Sequence, residues 1–323
     1  MVHALGLLLL AGTLCGFPQV GAADAPSPPL DAKGWLTAMI DAAKTLDYRG
    51  EFVYVQGLSV EAMGIVHGVI DGREMQRVVA LNGPRRELIV DRDVVVVQTD
   101  HPQLSPQGDR LRRSPFPVAL PQELDQLEVH YRFELLGEGR TANRPTQRIA
   151  IHPRDKYRFG YQLWLDQQTK MVLRAALFDD RHEVIEQLMF TRFVVDPPLD
   201  PQTFAPTATG SPPPPPPAAP ASLWSLSALP PGFAPVLHNR YGGNHGPEIE
   251  HIVLSDGLAT ASVFLDHLDG AAPLLKGPSR LGAMNAYGRV IDDHQVMVVG
   301  EVPAVTVQDI AQAVERGTDV TVR

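Results

Sequence analysis

The chain is short of the residues that staple or anchor a protein. Of its 323 residues only Cys15 is a cysteine, and no apolar run reaches the roughly 20 residues of a membrane-spanning helix. Basic residues are outnumbered, 28 Lys and Arg against 37 Asp and Glu, which leaves a net charge of −9. That balance argues against a general nucleic-acid binder. G-x-S-x-G, P-loop, H-E-x-x-H and G-x-G-x-x-G patterns are all missing, so no motif assigns an acid, a base and a nucleophile. Paired carboxylates at Glu123/Asp125 and Asp179/Asp180 read as exposed loop residues. The chain reads as a binding protein and not an enzyme, with no cofactor or metal expected.

With 44% hydrophobic and 20% charged residues, enough apolar material is present for real cores, and the length suits two domains. The first charged residue is Asp24, preceded by the apolar stretch Ala4–Cys15 and the small residues Val20-Gly21-Ala22-Ala23. This predicts a signal peptide over residues 1–23, although its start carries His3 and no Lys or Arg. Thr13-Leu14-Cys15 puts Leu where a lipoprotein signal places a small residue, so no lipid anchor is expected. Cleavage removes Cys15, leaving no disulfide, thiol nucleophile or cysteine-based zinc site. An exported protein without an anchor fits the periplasm of a Gram-negative bacterium.

Thirteen prolines fall between Pro197 and Pro231, six of them consecutive from Pro212 to Pro217. Proline lacks the N–H and fixes φ, so this stretch predicts an extended spacer. The expected organisation is a domain over 24–196, a Pro-rich linker over 197–228 and a smaller domain over 229–323.

The first domain should open with a helix, because Trp35, Leu36, Met39, Ile40, Ala43 and Leu46 recur at helical spacing after the N-cap candidate Asp31. The period then changes to two, with Asp71-Gly72, Asn82-Gly83 and Asp91-Arg92-Asp93 as turns. A proline-rich excursion over His101–Leu127 includes a short helix near Pro121–Leu127, and strands resume from Tyr131 to Val195. About ten antiparallel strands and a leading helix suggest a curved sheet wrapped over helices. The second domain shows five strands, turns at Ser255-Asp256-Gly257 and Asp292-Asp293-His294, and a final amphipathic helix over Val305–Arg316. The fold class is therefore α+β.

Eleven histidines invite a metal hypothesis, yet the densest group, His238, His245 and His251, lacks the close ligand pair usual in zinc sites. These read as surface histidines, and Asp292-Asp293-His294 as a hairpin turn. Two basic clusters stand out, Arg85-Arg86 and Arg110 with Arg112-Arg113. Guanidinium forks suit phosphates and carboxylates. The first cluster reads as cross-strand ion pairing, for instance Arg86 beside Glu87. The second lies in the irregular excursion, where a ligand-facing role is more plausible. Trp35, Met39, Phe52, Tyr54, Phe159, Tyr161, Trp164 and Met189 pack a core or, on the concave face of a half-barrel, line an apolar pocket.

Several segments resemble a known family. Asn82-Gly83-Pro84-Arg85-Arg86-Glu87 resembles the DGPRRE segment of the RseB/MucB regulators of envelope stress. Tyr161–Asp166 (YQLWLD), followed by Lys170–Leu177, resembles that family's Y-x-x-W-x-D strand pair. Leu229-Pro230-Pro231-Gly232-Phe233, Ser255-Asp256-Gly257-Leu258 and Val299-Gly300-Glu301-Val302-Pro303 resemble its LPxGF, SDGL and VGELP segments. The matches keep their order across nearly all of the chain after residue 23.

The resemblance implies an N-terminal half-open antiparallel barrel over helices, similar to the lipoprotein carriers LolA and LolB, and a smaller C-terminal α+β domain. It implies a periplasmic negative regulator that binds the periplasmic part of a membrane anti-sigma factor (RseA/MucA-like) and shields it from proteolysis. Lipid or lipopolysaccharide fragments would release it. Acyl chains would meet Trp35, Met39, Phe52, Tyr54, Phe159, Trp164 and Met189, with Arg110, Arg112 and Arg113 at an anionic headgroup. No catalytic residue is implied, and homo-oligomerisation is left open. The alternative is a periplasmic lipid or lipoprotein carrier, which would have no need of residues 226–323.

Overall fold

Asp31 starts the first helix, α1 (Ala32–Thr45), by accepting the Gly34 N–H at 2.7 Å on its side chain. Leu36, Met39 and Ile40 form the buried stripe of this helix, and Lys33 reaches Asp125 and Glu128. This computed structural model describes residues 30–91, 94–99, 120–205, 222–242 and 249–320. The expected signal peptide, the Arg110/Arg112/Arg113 cluster, the proline run Pro212–Pro217 and His245 lie outside the described residues.

Ten strands follow α1: β1 (Tyr48–Gln56), β2 (Ser59–Ile70), β3 (Arg73–Ala80), β4 (Arg86–Asp91), β5 (Val94–Thr99), β6 (Tyr131–Thr141), β7 (Arg144–Pro153), β8 (Gly160–Asp166), β9 (Val172–Phe178) and β10 (Val184–Val195). They form one antiparallel sheet in the order β5-β4-β3-β2-β1-β10-β9-β8-β7-β6, whose two ends do not pair with each other. Asp71 and Gly72 turn the β2–β3 hairpin with φ of 50° and 72°, the left-handed pair that a tight hairpin requires. Helix α2 (Leu124–Glu128) falls inside the excursion where a short helix was expected, shifted three residues at its start.

Alternation along the strands gives this sheet two distinct faces. Ile149, Ile151, Leu163 and Leu165 pack with Leu36, Met39 and Ile40 of α1 and with Leu124 and Leu127 of α2. Tyr48, Phe52, Ile65, Val78, Leu188 and Phe190 continue that concave core over the other half of the sheet. An open antiparallel half-barrel closed over helices is thus the architecture of the N-terminal domain.

The C-terminal domain holds β11 (Ser222–Leu226), β12 (Ala234–Tyr241), β13 (Ile249–Ser255), β14 (Thr260–His267), β15 (Gly277–Leu281), β16 (Met284–Ile291), β17 (His294–Gly300), α3 (Ala304–Ala313) and β18 (Val314–Val320). Six of these strands form a sheet in the order β12-β13-β14-β17-β16-β15, while β11 pairs with β18. Val307, Ile310 and Ala311 of α3 pack on Val263, Val296 and Val298, with Trp224 of β11 in the same core.

Two expectations are corrected here. The final helix stops at Ala313 and not Arg316, because Val314, Glu315 and Arg316 pair with Leu226, Ser225 and Trp224. The span expected as linker, 197–228, contains ordered elements near both of its ends. Pro201–Phe204 form a 3-10 turn capped by Asp200 that buries Phe204, and Ser222–Leu226 is a strand with Trp224 in a core.

Candidate functional site

The two domains meet around one buried guanidinium. Arg158 and Asp256 have fully buried side chains, and Arg158 Nη1 lies 3.2 Å from Asp256 Oδ2. Arg158 Nε lies 3.2 Å from Asp155 Oδ1, and both this and the Nη1 contact are charge contacts without hydrogen-bond alignment. The Arg158 Nη2 group donates to the Pro231 carbonyl. Its guanidinium also sits over the rings of Tyr131 at 5.5 Å and Phe233 at 5.4 Å, a cation–π sandwich. Asp256 in turn accepts the Tyr131 hydroxyl at 2.9 Å, while its other oxygen holds the amides of Leu258 and Ala259 at 2.9 and 2.7 Å. The Ser255-Asp256-Gly257-Leu258 turn and the Leu229–Phe233 segment are therefore the C-terminal domain's half of this junction. Leu258 extends it by packing against the N-terminal core, and Thr306 Oγ1 by donating to the Tyr157 carbonyl at 2.7 Å.

Burial and the neighbouring Asp256 push the Tyr131 phenol well above its ordinary range. His130, beside the Gly232 backbone, is pushed down by burial and by the Arg158 charge. The junction thus holds one cation between the Asp155 and Asp256 carboxylates with neutral rings around them.

A second junction feature is a groove of about 300 Å³ lined by Val55, Gly57, Ile185, Glu186, Arg280 and Gly282. Burial, and then the charge of Glu301 on the C-terminal domain, push Glu186 up to about 7. Gln56 Nε2 approaches Glu186 Oε2 at 3.5 Å. Burial is also the first cause pushing Tyr54 upward, followed by Glu186.

The residues expected to line an acyl pocket divide between the two faces of the sheet. Trp35, Met39, Phe52 and Tyr54 contribute to the concave core, and Phe159 packs on Leu177 and Ala283 at its rim. Trp164 and Met189 do not join them. Register puts Trp164 opposite Arg174 and Arg174 opposite Met189, one residue out of phase with the inward Leu163, Ala175 and Leu188. On the convex face Trp164 is covered by the Arg174 guanidinium, 4.0 Å from the ring. A one-residue offset on a strand moves a side chain to the opposite face, and YQLWLD is buried on both, so its hydrophobicity carried no sign of which.

The convex face carries a groove of about 550 Å³ with Val66, Val79, Leu81 and Val194 on its floor and Arg49, Arg77 and Arg192 around it. Nothing in the sequence signalled it. Arg86 pairs with Glu61 at 2.8 Å, so its partner is not Glu87, which is held by Arg77 at 2.6 Å. Asp166 of YQLWLD is buried and held by Arg144 at 2.9 Å and by Thr169, an anchor of the β8–β9 turn. His238 pairs with Glu250 at 2.8 Å, whereas His251 stacks on Phe264 at 4.4 Å. Because His238 is opposite Ile252 and His251 is opposite Asn239, the two histidines lie on opposite faces. Asp292 turns the β16–β17 hairpin with φ of 53°.

These features define a two-domain binding protein, an open half-barrel joined through a buried charge pair to a smaller α+β domain. The chain belongs to the MucB/RseB family: the MucB/RseB N-terminal domain matches residues 31–208 and the MucB/RseB C-terminal domain residues 218–315. It is 30% identical over 319 residues to the sigma factor AlgU regulatory protein MucB of Pseudomonas aeruginosa, covering 95% of this chain and 96% of that one. It is 28% identical over 285 residues to the sigma-E factor regulatory protein RseB of Escherichia coli K12, covering 85% and 88%. A chain of the Pseudomonas aeruginosa MucA/MucB complex superposes with a TM-score of 0.76 at 27% identity, covering 89% of this chain and 99% of that one. MucB in complex with MucA(peri) gives 0.72 at 26% identity, covering 89% and 100%. Proteins of this family are named as regulators, and among the described residues no helix is long and apolar enough to cross a membrane.

Proposed function

We propose that this chain is a periplasmic negative regulator of a sigma-E-type envelope-stress response. It binds the periplasmic region of a membrane anti-sigma factor of the MucA or RseA kind and shields it from proteolysis. The observation that carries this reading is full-length likeness: relatives named as sigma-factor regulators align across both domains, and the superposed MucB was solved with MucA. The buried Arg158–Asp256 junction supports it, because it presents both domains to a partner as one surface.

Release by a lipid or lipopolysaccharide fragment is the second part of the proposal. The concave members of the expected acyl set, Trp35, Met39, Phe52 and Tyr54, already pack against helix and sheet, so an acyl chain has to displace α1 from its seat. Displacement couples the two ligands, since a ligand releases a partner only by favouring a state of lower partner affinity. A tenfold loss of partner affinity corresponds to about 1.4 kcal/mol of coupling.

The test is limited proteolysis of the anti-sigma periplasmic segment, alone, with this protein, and with added lipopolysaccharide fragments. Protection by the protein and its loss on adding lipid are expected. Cleavage at the same rate with and without the protein would overturn the regulator reading. Protection unaffected by saturating lipid would remove the release step alone.

A further inference from the structure

On the C-terminal domain, at the end of β14 opposite the Asp256 turn, two histidines and a carboxylate converge at one end of the six-stranded sheet. His267 ends β14 and His294 starts β17, and the two are direct cross-strand partners. Such pairing puts both side chains on one face with Cβ atoms about 5 Å apart. Their rings meet edge to face with centroids 4.8 Å apart. Asp293, the turn residue before His294, aims one oxygen at each ring: Oδ2 lies 2.7 Å from His267 Nε2 and Oδ1 lies 2.6 Å from His294 Nδ1. One donor atom from each of the three residues falls within 4.8 Å of the others.

We propose that His267, His294 and Asp293 form a binding site for a divalent transition-metal ion of the zinc type. Two imidazoles and a carboxylate are a borderline donor set that suits zinc and its neighbours and not calcium or magnesium, which prefer oxygen. Metal bonds of about 2.0–2.2 Å draw the donors to within roughly 4 Å of one another, so a small rotation of the half-exposed His267 closes the set. Three protein ligands leave a fourth position to water.

Three surrounding contacts fit this use. His294 Nδ1 is buried and has no aligned hydrogen bond, although Asp293 Oδ1 is close by. His267 Nδ1 lies 2.6 Å from Asp269 Oδ1, the outer carboxylate that holds a ligating histidine with its Nε2 lone pair toward the metal. The backbone is fixed there, because Leu268 N–H donates to the Asp293 carbonyl at 2.8 Å. The opposing charge is Arg316, 3.1 Å from Asp292 and 3.8 Å from Asp293 Oδ1, and its half-exposed guanidinium is free to stay with Asp292 when a cation enters.

The site has a built-in reporter, since the Trp224 ring lies edge-on to His294 at 5.2 Å. The experiment uses the full chain without an affinity tag. It is titrated with Zn²⁺ by calorimetry and with Co²⁺, whose open d shell quenches indole emission, by fluorescence. The expected result is one Zn²⁺ equivalent that is lost in the His267→Ala and His294→Ala variants. The Asp269→Ala variant is expected to bind about 10–100-fold more weakly, the usual cost of an outer-shell partner, and Arg316→Ala more tightly. Co²⁺ should quench the wild type and leave Trp224→Phe unquenched in that phase. Variants are compared only where their unfolding midpoint in EDTA matches the wild type. His267→Gln serves as a second ligand variant if the alanine version fails that check. Zinc binding that is absent from the wild type, or unchanged in both histidine variants, would overturn the proposal.

Discussion

Arg158 of the half-barrel and Asp256 of the smaller domain face each other at 3.2 Å with no solvent access to either side chain. Asp256 is thus compensated by a cation from the other domain, whereas Arg158 also meets Asp155 of its own domain at 3.2 Å, and separating the domains exposes the cation–π stack of Tyr131 and Phe233 as well. The resemblance segments SDGL and LPPGF are where this device is built.

Removing one partner strands the other. Arg158→Ala is expected to destabilise the protein by about 3–5 kcal/mol, the usual cost of an uncompensated buried charge. Combining Arg158→Met with Asp256→Asn keeps the Asx turn and removes both charges, so it should cost much less. Denaturant unfolding of the two variants checks this, and equal losses would show that the charge pairing is not what matters.

The Glu186 carboxyl gives the junction a pH dependence. Its folded value of about 7 stands above the ordinary 4.5, so the fold favours the protonated form. The stability this contributes is fully present below about 4.5 and falls away as pH rises toward and through 7. Melting temperatures of wild type and Glu186→Gln across pH 4.5 to 8 measure it. The wild type should lose stability relative to the variant as pH rises, and parallel curves would contradict the assignment.

Much of this architecture is legible in the chain because it rests on local rules. The Asp31 cap and the Asp71-Gly72 and Asp292 turns follow from side chains that favour those backbone states. The misses are all non-local. Strand β11 follows a proline tract and finds its partner β18 some ninety residues later, so no neighbouring pattern announces it. Val305–Arg316 reads as one helix because Val314 continues the apolar period, yet that residue is taken by strand pairing. Arg158 and Asp256 lie on separate turns, and only the assembled domains make them partners.

Lipid entry should be visible in one tryptophan and not another. Trp35 borders the concave core with Lys170 4.0 Å from its ring, whereas Trp164 lies on the convex face under Arg174. Adding lipopolysaccharide fragments is expected to shift tryptophan emission in the wild type and in Trp164→Phe, and to leave Trp35→Phe nearly unchanged. The reverse pattern would move the lipid site to the convex face of the sheet around Trp164.

The central claim is that this chain holds the periplasmic segment of an anti-sigma factor, and isothermal titration of that purified segment into the full chain tests it most directly. Saturable binding is predicted, at least tenfold weaker in Arg158→Ala under conditions where that variant remains folded, because both domains form the surface. No heat and no saturation with a folded wild-type protein would contradict the account.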